Sequence, residues 1–205
     1  MARRIILFVH STLNGVVTGD PDGDVTDFSV WTRPGALVGE ASRRLLQLLD
    51  RVDTVLLGRG TYDDLCRKWP NVQGPANSDD VASRLGVKIN SAKKLVATRN
   101  RQLLHLPWGD FASAEPLACD DIVEQLHGIK AGAGGDIVIF GSPTLVRSLA
   151  DAGLIDEFHI LVHPVIVEVG ERLFEGVGTR TGLDLKSVAT VGDGGVLLVY
   201  SPDPS

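Results

Sequence analysis

Short apolar segments separated by helical patterns constrain the fold of this chain more than any other feature. The segments at residues 5–9, 54–57, 94–97 and 136–140 place Val, Ile and Leu in succession rather than alternating them with polar residues. Such runs are typical of strands that are covered on both faces, as in a parallel sheet with helices on each side. The sequence therefore predicts a layered α/β fold.

The remaining elements follow from periodicity and turn signals, and residues 11–15 are expected to turn the chain after the first strand. The helices expected from apolar periodicity are residues 36–49, 61–68, 120–129 and 144–152. Gly153 is the expected C-cap of the last helix. Residues 81–90 fit either a further helix or a loop, and residues 111–114 fit a further strand. The chain should end in a hairpin of residues 183–191 and 196–200, because an Asp-Gly turn lies between them.

Neither a repeat nor a linker divides the chain, so we expect one domain over residues 1–205 with a mixed sheet. The net charge of −6 argues against nucleic-acid binding, which needs a basic surface to displace counterions. The apolar run at residues 5–9 is too short for a signal peptide or a membrane span. Cys66 and Cys119 are too isolated for a disulfide framework, which favours a cytoplasmic location.

Two strand-to-helix junctions carry the residue types that bind phosphate. They read Gly58-Arg59-Gly60-Thr61 and Gly141-Ser142-Pro143-Thr144-Leu145. Ligands of open α/β sheets bind at the carboxyl ends of strands, where a helix N-terminus offers free N–H groups to an anion. The alternative is that the glycines only form tight turns and the hydroxyls only cap helices. Two such junctions in one short chain favour a nucleotide site.

Arginines near the same edge indicate which nucleotide is bound. Thr98 and Arg99 follow the third predicted strand, and Arg59 follows the second. Two guanidinium groups beside a dinucleotide favour NADP over NAD, since arginine grips phosphate with two hydrogen bonds. The alternative is that both arginines are solvated surface residues. No Walker loop is present, and His159 and His163 lie too far apart along a strand to share a metal, so no metal site is expected.

With these junctions, the chain resembles the family that joins dihydrofolate reductase to the reductase domain of bacterial riboflavin biosynthesis. It is most similar to the small stand-alone bacterial members of that family. The resemblance extends from Ile5 to about Tyr200 and is most specific at residues 11–15, 57–62 and 140–174. It implies a dihydrofolate-reductase-like three-layer fold with a central twisted mixed sheet, and NADPH bound across the carboxyl edge of that sheet.

The resemblance also assigns roles to individual residues. Those that would hold the phosphates are Gly58, Arg59 and Thr61. Those around the adenosine 2′-phosphate are Thr98 and Arg99. The turn that would cradle the pyrophosphate consists of Gly141, Ser142, Pro143, Thr144 and Leu145. Asn14 and Gly15 would lie beside the nicotinamide, and the C-terminal hairpin would contribute to a homodimer.

The substrate end of the expected site departs from the family. Related chains carry Asp-Gly where this one has Asn14-Gly15, and an amide cannot donate or accept a proton as a carboxylate does. Asn14 would instead orient the substrate through its amide. Glu40 is the nearest candidate for the substrate-binding acid, the alternative being an ordinary exposed helix glutamate. Phe28 or Trp31 could stack on a flat substrate ring. The acidic residues 20–27 fit either a lid or a surface turn.

The sequence thus predicts an NADPH-dependent reductase of a small heteroaromatic or carbonyl substrate, such as a pterin or a pyrimidine. A role in riboflavin synthesis is compatible with this, although the zinc deaminase signature that usually accompanies it is absent from the sequence. The alternatives are a non-catalytic nucleotide-binding or sensor protein and a structural dimer with a vestigial pocket.

Overall fold

The computed structural model of the protein describes residues 2–18, 40–72, 74–75, 79–100, 105–192 and 194–203. Its strands are β1 (Ile5–Thr12), β2 (Val52–Gly58), β3 (Lys93–Thr98), β4 (Glu115–Ala118), β5 (Asp136–Ile139), β6 (Glu157–His163), β7 (Leu183–Val191) and β8 (Gly195–Pro202). Its helices are α1 (Glu40–Leu49), α2 (Arg59–Lys68), α3 (Val81–Ser91), α4 (Ile122–Ala131) and α5 (Pro143–Asp151). Short 3-10 helices lie at Trp69–Asn71 and Cys119–Asp121.

The strands form one mixed sheet in the order β4-β3-β2-β5-β1-β6-β8-β7. The strands from β4 to β6 are parallel, and β8 then joins β6 and β7 in antiparallel pairing. The predicted α/β fold with a mixed sheet and a C-terminal hairpin is confirmed. Because the six strands from β4 to β6 run in one direction, the carboxyl ends of β1, β2, β3 and β5 meet along one edge of the sheet.

Two apolar cores lie on opposite faces of the sheet. On β1, Ile5, Leu7 and Val9 face the core that contains α4 and α5. Ile6 and Phe8 face the core that contains α1, α2 and α3. Both sets are buried, which explains why the first strand is apolar without alternation.

The amino edge of the sheet is closed by ion pairs. Arg4 contacts Asp136 at 2.8 Å and Glu157 at 2.6 Å, and Arg51 contacts the same two carboxylates at 3.2 and 2.6 Å. His159 adds a contact of 2.9 Å between its Nε2 and Glu157. The hydrogen bond from His159, with help from both arginines, lowers the pKa of Glu157 to about 2. These contacts join residues at the starts of β1, β2, β5 and β6.

Two expectations from the sequence are corrected. Residues 111–114 do not form a strand: Phe111 makes only an isolated bridge with Trp108, and the edge strand β4 comes directly afterwards. The turn expected at residues 11–15 begins later, because Ser11 and Thr12 continue β1 by pairing with β6. Both corrections depend on the pairing of strands that lie apart in the sequence, β1 with β6 and β4 with β3.

The ambiguous segment 81–90 is helical, as α3. Asp80 caps this helix, because its carboxylate accepts hydrogen bonds from the backbone N–H groups of Ala82 and Ser83. Helix α2 begins at Arg59, two residues earlier than its periodicity indicates, directly after the last residue of β2. That early start brings its N-terminus against the end of the strand.

Candidate functional site

The two predicted junctions meet at the carboxyl edge of the sheet. The backbone N–H of Gly58 donates to the carbonyl of Gly141 over 2.9 Å. A Cβ atom on Gly58 would lie 2.3 Å from Oγ and 2.8 Å from the backbone nitrogen of Ser142. Only glycine permits so close an approach, so the glycine at the end of β2 is what lets the β5–α5 turn lie against it.

Thr61 and Gly141 form the second contact between the junctions. Thr61 is buried, and a Cβ atom on Gly141 would lie 3.0 Å from its Oγ1. Gly141 also has a φ of +135°, a conformation that side chains rarely adopt. The peptide bond between Gly141 and Ser142 is cis. The structure thus brings together Gly58, Thr61, Gly141 and Ser142, from both predicted phosphate segments.

The helices that begin at these junctions lack side-chain caps. Gly58 and Ser142 occupy the N-cap positions of α2 and α5, and no side chain in the described residues accepts a hydrogen bond there. Helix α3, capped by Asp80, shows the contrast within the same chain. A helix N-terminus carries a partial positive charge and unpaired N–H groups. The paired N-termini of α2 and α5 therefore suit an anion with several oxygens, such as a pyrophosphate.

The side chains of Pro143, Thr144 and Leu145 divide between the site and the core. Pro143 fills the first helical position, where its missing N–H costs no hydrogen bond. Thr144 is exposed at the helix start, whereas Leu145 is buried in the core under α5. Leu145 therefore anchors the turn, and only its backbone faces the edge of the sheet.

Arg59 lies at the start of α2 and is held by its own helix. Its Nε contacts both oxygens of Asp63 at 2.9 Å, and its guanidinium lies 5.9 Å from the ring centre of Tyr62. The side chain remains 45% exposed. An ion pair between two exposed side chains is weak, so Arg59 can exchange Asp63 for a phosphate.

Thr98 and Arg99 lie at the neighbouring strand end. In the register of β2 and β3, Gly58 is opposite Ala97, so Thr98 follows beside the first junction. Thr98 is buried, and its Oγ1 accepts a hydrogen bond of 3.1 Å from the backbone N–H of Asn100. Arg99 is exposed. Burial raises the pKa of Cys119, and the positive charge of Arg99 partly offsets that increase. Arg59 and Arg99 therefore follow adjacent strands, as the sequence predicts.

Asn14 has a structural role that the sequence does not reveal. Its Nδ2 donates to the carbonyl of Val167 over 2.7 Å, and its Oδ1 accepts from the Thr12 hydroxyl over 2.8 Å. The Oδ1 atom also accepts from the backbone N–H of Val167 over 3.3 Å. The amide thus ties the loop after β1 to the loop after β6. A contact with substrate stays a prediction.

Glu40 is the first residue of α1 and forms ion pairs within that helix. Its carboxylate contacts Arg44 at 2.6 Å and Arg43 at 3.5 Å. Since α1 ends just before β2 begins, its first residue lies toward the carboxyl edge of the sheet. The proposed catalytic role of Glu40 stays a prediction. Phe28, Trp31 and the acidic residues 20–27 lie outside the described residues.

A pair of histidines near this edge was not identified as functional from the sequence. His10 Nδ1 lies 2.9 Å from His163 Nε2, and the two rings stack with centres 5.2 Å apart. His159, by contrast, contacts Glu157. The one sequence signal was a polar residue near the end of an apolar strand, and its partner lies on a strand 153 residues away.

Comparison with known proteins identifies the family. The sequence model of the RibD C-terminal domain matches residues 3–197, and the chain belongs to this family. The protein YyaP of Bacillus subtilis, described as uncharacterized, is 28% identical over 97% of this chain and 94% of its own length.

Solved structures support the same fold at low sequence identity. A protein of Shewanella sp. PV-4, described as a putative riboflavin biosynthesis protein, has a TM-score of 0.63 at 16% identity, with 99% of both chains covered. Dihydrofolate reductase of Enterococcus faecalis, complexed with NADP(H), has a TM-score of 0.61 at 13% identity, again covering 99% of both chains. RibD of Acinetobacter baumannii has a TM-score of 0.64 at 18% identity and is matched over 58% of its length by 98% of this chain. The dihydrofolate-reductase-like fold expected from the sequence is thereby confirmed.

Two kinds of feature are absent from the described residues. None of their helices is both long and apolar enough to cross a membrane. None of their His, Cys, Asp and Glu side chains form a group of three or more that could hold a metal ion.

Proposed function

We propose that this protein is an NADPH-dependent reductase that acts on a small heteroaromatic or carbonyl substrate. The observation that carries the proposal is the contact between Gly58 and Ser142, which holds two uncapped helix N-termini together at the carboxyl edge of the sheet. Membership of the RibD C-terminal domain family supports a reductase. The shared fold of a dihydrofolate reductase that binds NADP(H) supports the cofactor.

The described residues fit the phosphates of NADPH. The N–H groups at the starts of α2 and α5 would bind the pyrophosphate, with hydroxyl groups of Thr61, Ser142 and Thr144 close by. Arg59 and Arg99 would flank the adenosine 2′-phosphate, beside the buried Thr98. Bound NADPH would supply a hydride, and the protein would orient it and exclude water.

The substrate would lie beside the loop after β1. Asn14 holds that loop against Val167, so in this proposal it positions the backbone of Gly15 next to the nicotinamide. Glu40, Phe28 and Trp31 remain the candidates for contacts with the substrate. A pterin or a pyrimidine is favoured because aromatic side chains stack on flat rings.

We also propose that the whole chain acts as one domain and forms a homodimer through its C-terminal hairpin. Strand β7 is at the edge of the sheet and is exposed along most of its length. Leu183, Leu185 and Val188 on this strand are 40%, 53% and 59% exposed. Exposed apolar edge strands are an aggregation hazard that a partner chain removes.

Replacement of the two arginines tests the cofactor assignment. Arg59→Ala with Arg99→Ala should weaken NADPH binding by about a hundredfold, because charged hydrogen bonds to phosphate contribute about 1.5–3 kcal/mol each. Binding would be followed by quenching of tryptophan fluorescence. Arg84→Ala is the matched control, since Arg84 is an exposed helical arginine on α3. Unchanged affinity in the double variant would contradict the assignment.

A nucleotide sensor remains the second candidate, and one observation favours it. The family's carboxylate is replaced by Asn14, and both ends of its amide are engaged by neighbouring groups. A sensor would bind NADPH without oxidising it in the presence of pterins, pyrimidines or aldehydes. Steady consumption of NADPH with any of these compounds would exclude this reading.

A further inference from the structure

We infer that Arg147 is a positioning residue, which fixes the loop after β1 relative to the helix that would bind the pyrophosphate. This inference rests on the proposed reductase function and concerns the nicotinamide end of the same site. Arg147 lies on α5, about 6 Å along the helix axis from Pro143 at its start. The loop after β1 carries Gly15, which in our proposal lies beside the nicotinamide.

The guanidinium of Arg147 extends from α5 to three successive residues. Its Nε donates to the carbonyl of Leu173 over 3.3 Å, and its Nη2 donates to the carbonyl of Arg172 over 2.7 Å. The same Nη2 contacts the carboxylate of Glu171 at 3.2 Å. The side chain of Arg147 is only 22% exposed, so the protein encloses most of it. One side chain thus holds residues 171–173 against the helix.

The segment held by Arg147 is in turn the hydrogen-bonding partner of the loop after β1. The backbone N–H of Leu173 donates to the carbonyl of Gly15 over 3.0 Å. Beside this bond, Val16 and Arg172 form an isolated antiparallel bridge. The backbone of Gly15 is therefore bound directly to a residue whose own carbonyl Arg147 binds.

The two segments also pack closely against each other. The backbone N–H of Val17 donates to the carbonyl of Glu171 over 2.9 Å, and the side chains of Val16 and Val17 are buried. A Cβ atom on Gly170 would lie 2.4 Å from Cγ1 of Val16. Because the segments are in such close contact, a shift of one requires a shift of the other.

The planar guanidinium suits this arrangement of acceptors. It carries five N–H donors in one rigid plane, so it can bind two carbonyls and a carboxylate at the same time. A lysine ammonium is a compact charge on a flexible stem and does not match this geometry. The carboxylate of Glu171 is 55% exposed, so the ion pair contributes little. The two backbone carbonyls are therefore the contacts that fix the segment.

Arg147 and Asn14 hold the loop from two sides. Asn14 ties it to Val167 after β6, and Arg147 ties it, through residues 171–173, to α5. The contact between Gly58 and Ser142, which forms the phosphate end of the proposed site, is separate from both. Loss of Arg147 should therefore loosen the nicotinamide end of the site and leave the phosphate end intact.

The test compares two ligands by isothermal titration calorimetry. NADPH and 2′-phospho-ADP-ribose share their phosphates, and only NADPH has the nicotinamide. Arg147→Gln should weaken NADPH binding about tenfold and change the affinity for 2′-phospho-ADP-ribose by less than about twofold. A changed charge or a general loss of stability would act on both ligands alike. Equal changes in the two affinities, or no change in either, would overturn the inference.

Asp151→Ala is the matched control. Asp151 is the last residue of α5, and its Oδ1 accepts hydrogen bonds of 3.0 and 3.1 Å from the backbone N–H groups of Gly178 and Thr179. It therefore ties a different segment to the opposite end of the same helix. Its loss should leave both affinities unchanged.

Arg147→Lys provides a second variant that keeps the charge. Lysine can donate to one of the two carbonyls, so the same selective loss of NADPH affinity should appear at about threefold. If Arg147→Gln does not fold, this variant decides, and an equal effect on the two ligands would overturn the inference.

The wild-type protein separates failure of the inference from failure of the proposed function. Tighter binding of NADPH than of 2′-phospho-ADP-ribose is the expected result. Equal affinities would leave the phosphate site in place and overturn the inference, because the nicotinamide would then make no contact at the loop after β1. Binding of neither ligand would overturn the proposed function and the inference with it.

Discussion

The two edges of the parallel sheet differ in their side chains: ion pairs close the amino edge, and glycines and helix N-termini form the carboxyl edge. At the amino edge, Arg4 and Arg51 each bind both Asp136 and Glu157, and every one of these charges has an opposite charge within 3.2 Å. At the carboxyl edge, glycines replace side chains, and two helices begin without caps. Both edges carry positive groups, but Arg4 and Arg51 at the amino edge are each bound to two carboxylates, whereas Arg59 at the carboxyl edge is bound to one.

The difference separates the residues that stabilise the fold from those that we propose to bind the ligand. Ion pairs at the amino edge join four strands, so their loss should lower the free energy of unfolding. At the carboxyl edge, α2 and α5 have no side-chain caps among the described residues, and Arg59 is held by an exposed ion pair and the ring of Tyr62, so a bound anion would complete their partners. Changes at one edge should therefore affect stability, and changes at the other should affect binding.

The largest effect should come from Gly58→Val. The backbone at Gly58 has φ −73° and ψ 160°, which valine adopts readily, so the obstacle is the 2.3 Å approach to Ser142. Separating the two helix N-termini should abolish NADPH binding within the measurable range and destabilise the fold by about 1–3 kcal/mol. Fluorescence titration and urea unfolding measure the two quantities.

Gly128→Ala is the control for this substitution. Gly128 lies within α4, and no neighbouring atom lies within 4 Å of an added Cβ. Alanine there should stabilise the helix by about 0.5–1 kcal/mol and leave NADPH binding unchanged. Normal NADPH binding by Gly58→Val would show that the contact between the junctions is not part of the binding site.

At the amino edge, Glu157→Gln should lower stability without affecting the cofactor. The His159 hydrogen bond and the two arginines place the pKa of Glu157 at about 2 in the folded protein, against 4.5 in its ordinary state. The stabilisation is therefore complete above about pH 4.5 and is lost as the pH falls toward 2. The substitution should cost about 2 kcal/mol at pH 7 and about half of that at pH 3.

Urea unfolding at both pH values, with NADPH titration at pH 7, would check this prediction. An equal loss of stability at pH 7 and pH 3 would show that the charge of Glu157 is not the source of the effect. A loss of NADPH affinity that matches the loss of stability would break the division between the two edges.

The smallest effects should come from two helix caps. Asp80→Ala removes the cap of α3 and should destabilise the protein by about 1 kcal/mol. Ser142→Ala should change stability by less than about 0.3 kcal/mol, since no side-chain hydrogen bond caps α5, yet it should weaken NADPH binding several-fold. The same two assays distinguish the variants, and equal destabilisation by both would mean that Ser142 caps α5 in solution.

Local patterns in the sequence predicted the strands, most helices and the glycine junctions, because burial on both faces and turn chemistry are encoded by neighbouring residues. They could not predict contacts between distant segments. Asn14 meets Val167, and His10 meets His163, each across 153 residues, so their partners depend on strand order and register. The edge strand near residues 111–118 was misplaced for the same reason, since it is defined by its pairing with β3.

The most direct test of the cofactor site is a fluorescence titration of the wild-type protein with NADPH and, in parallel, with NADH. The two cofactors share the pyrophosphate that α2 and α5 would bind and differ in the 2′-phosphate that Arg59 and Arg99 would grip. We predict saturable quenching by both, with NADPH bound about a hundredfold more tightly. Equal affinities would contradict the role of the arginines, and the absence of binding by either would contradict the account as a whole.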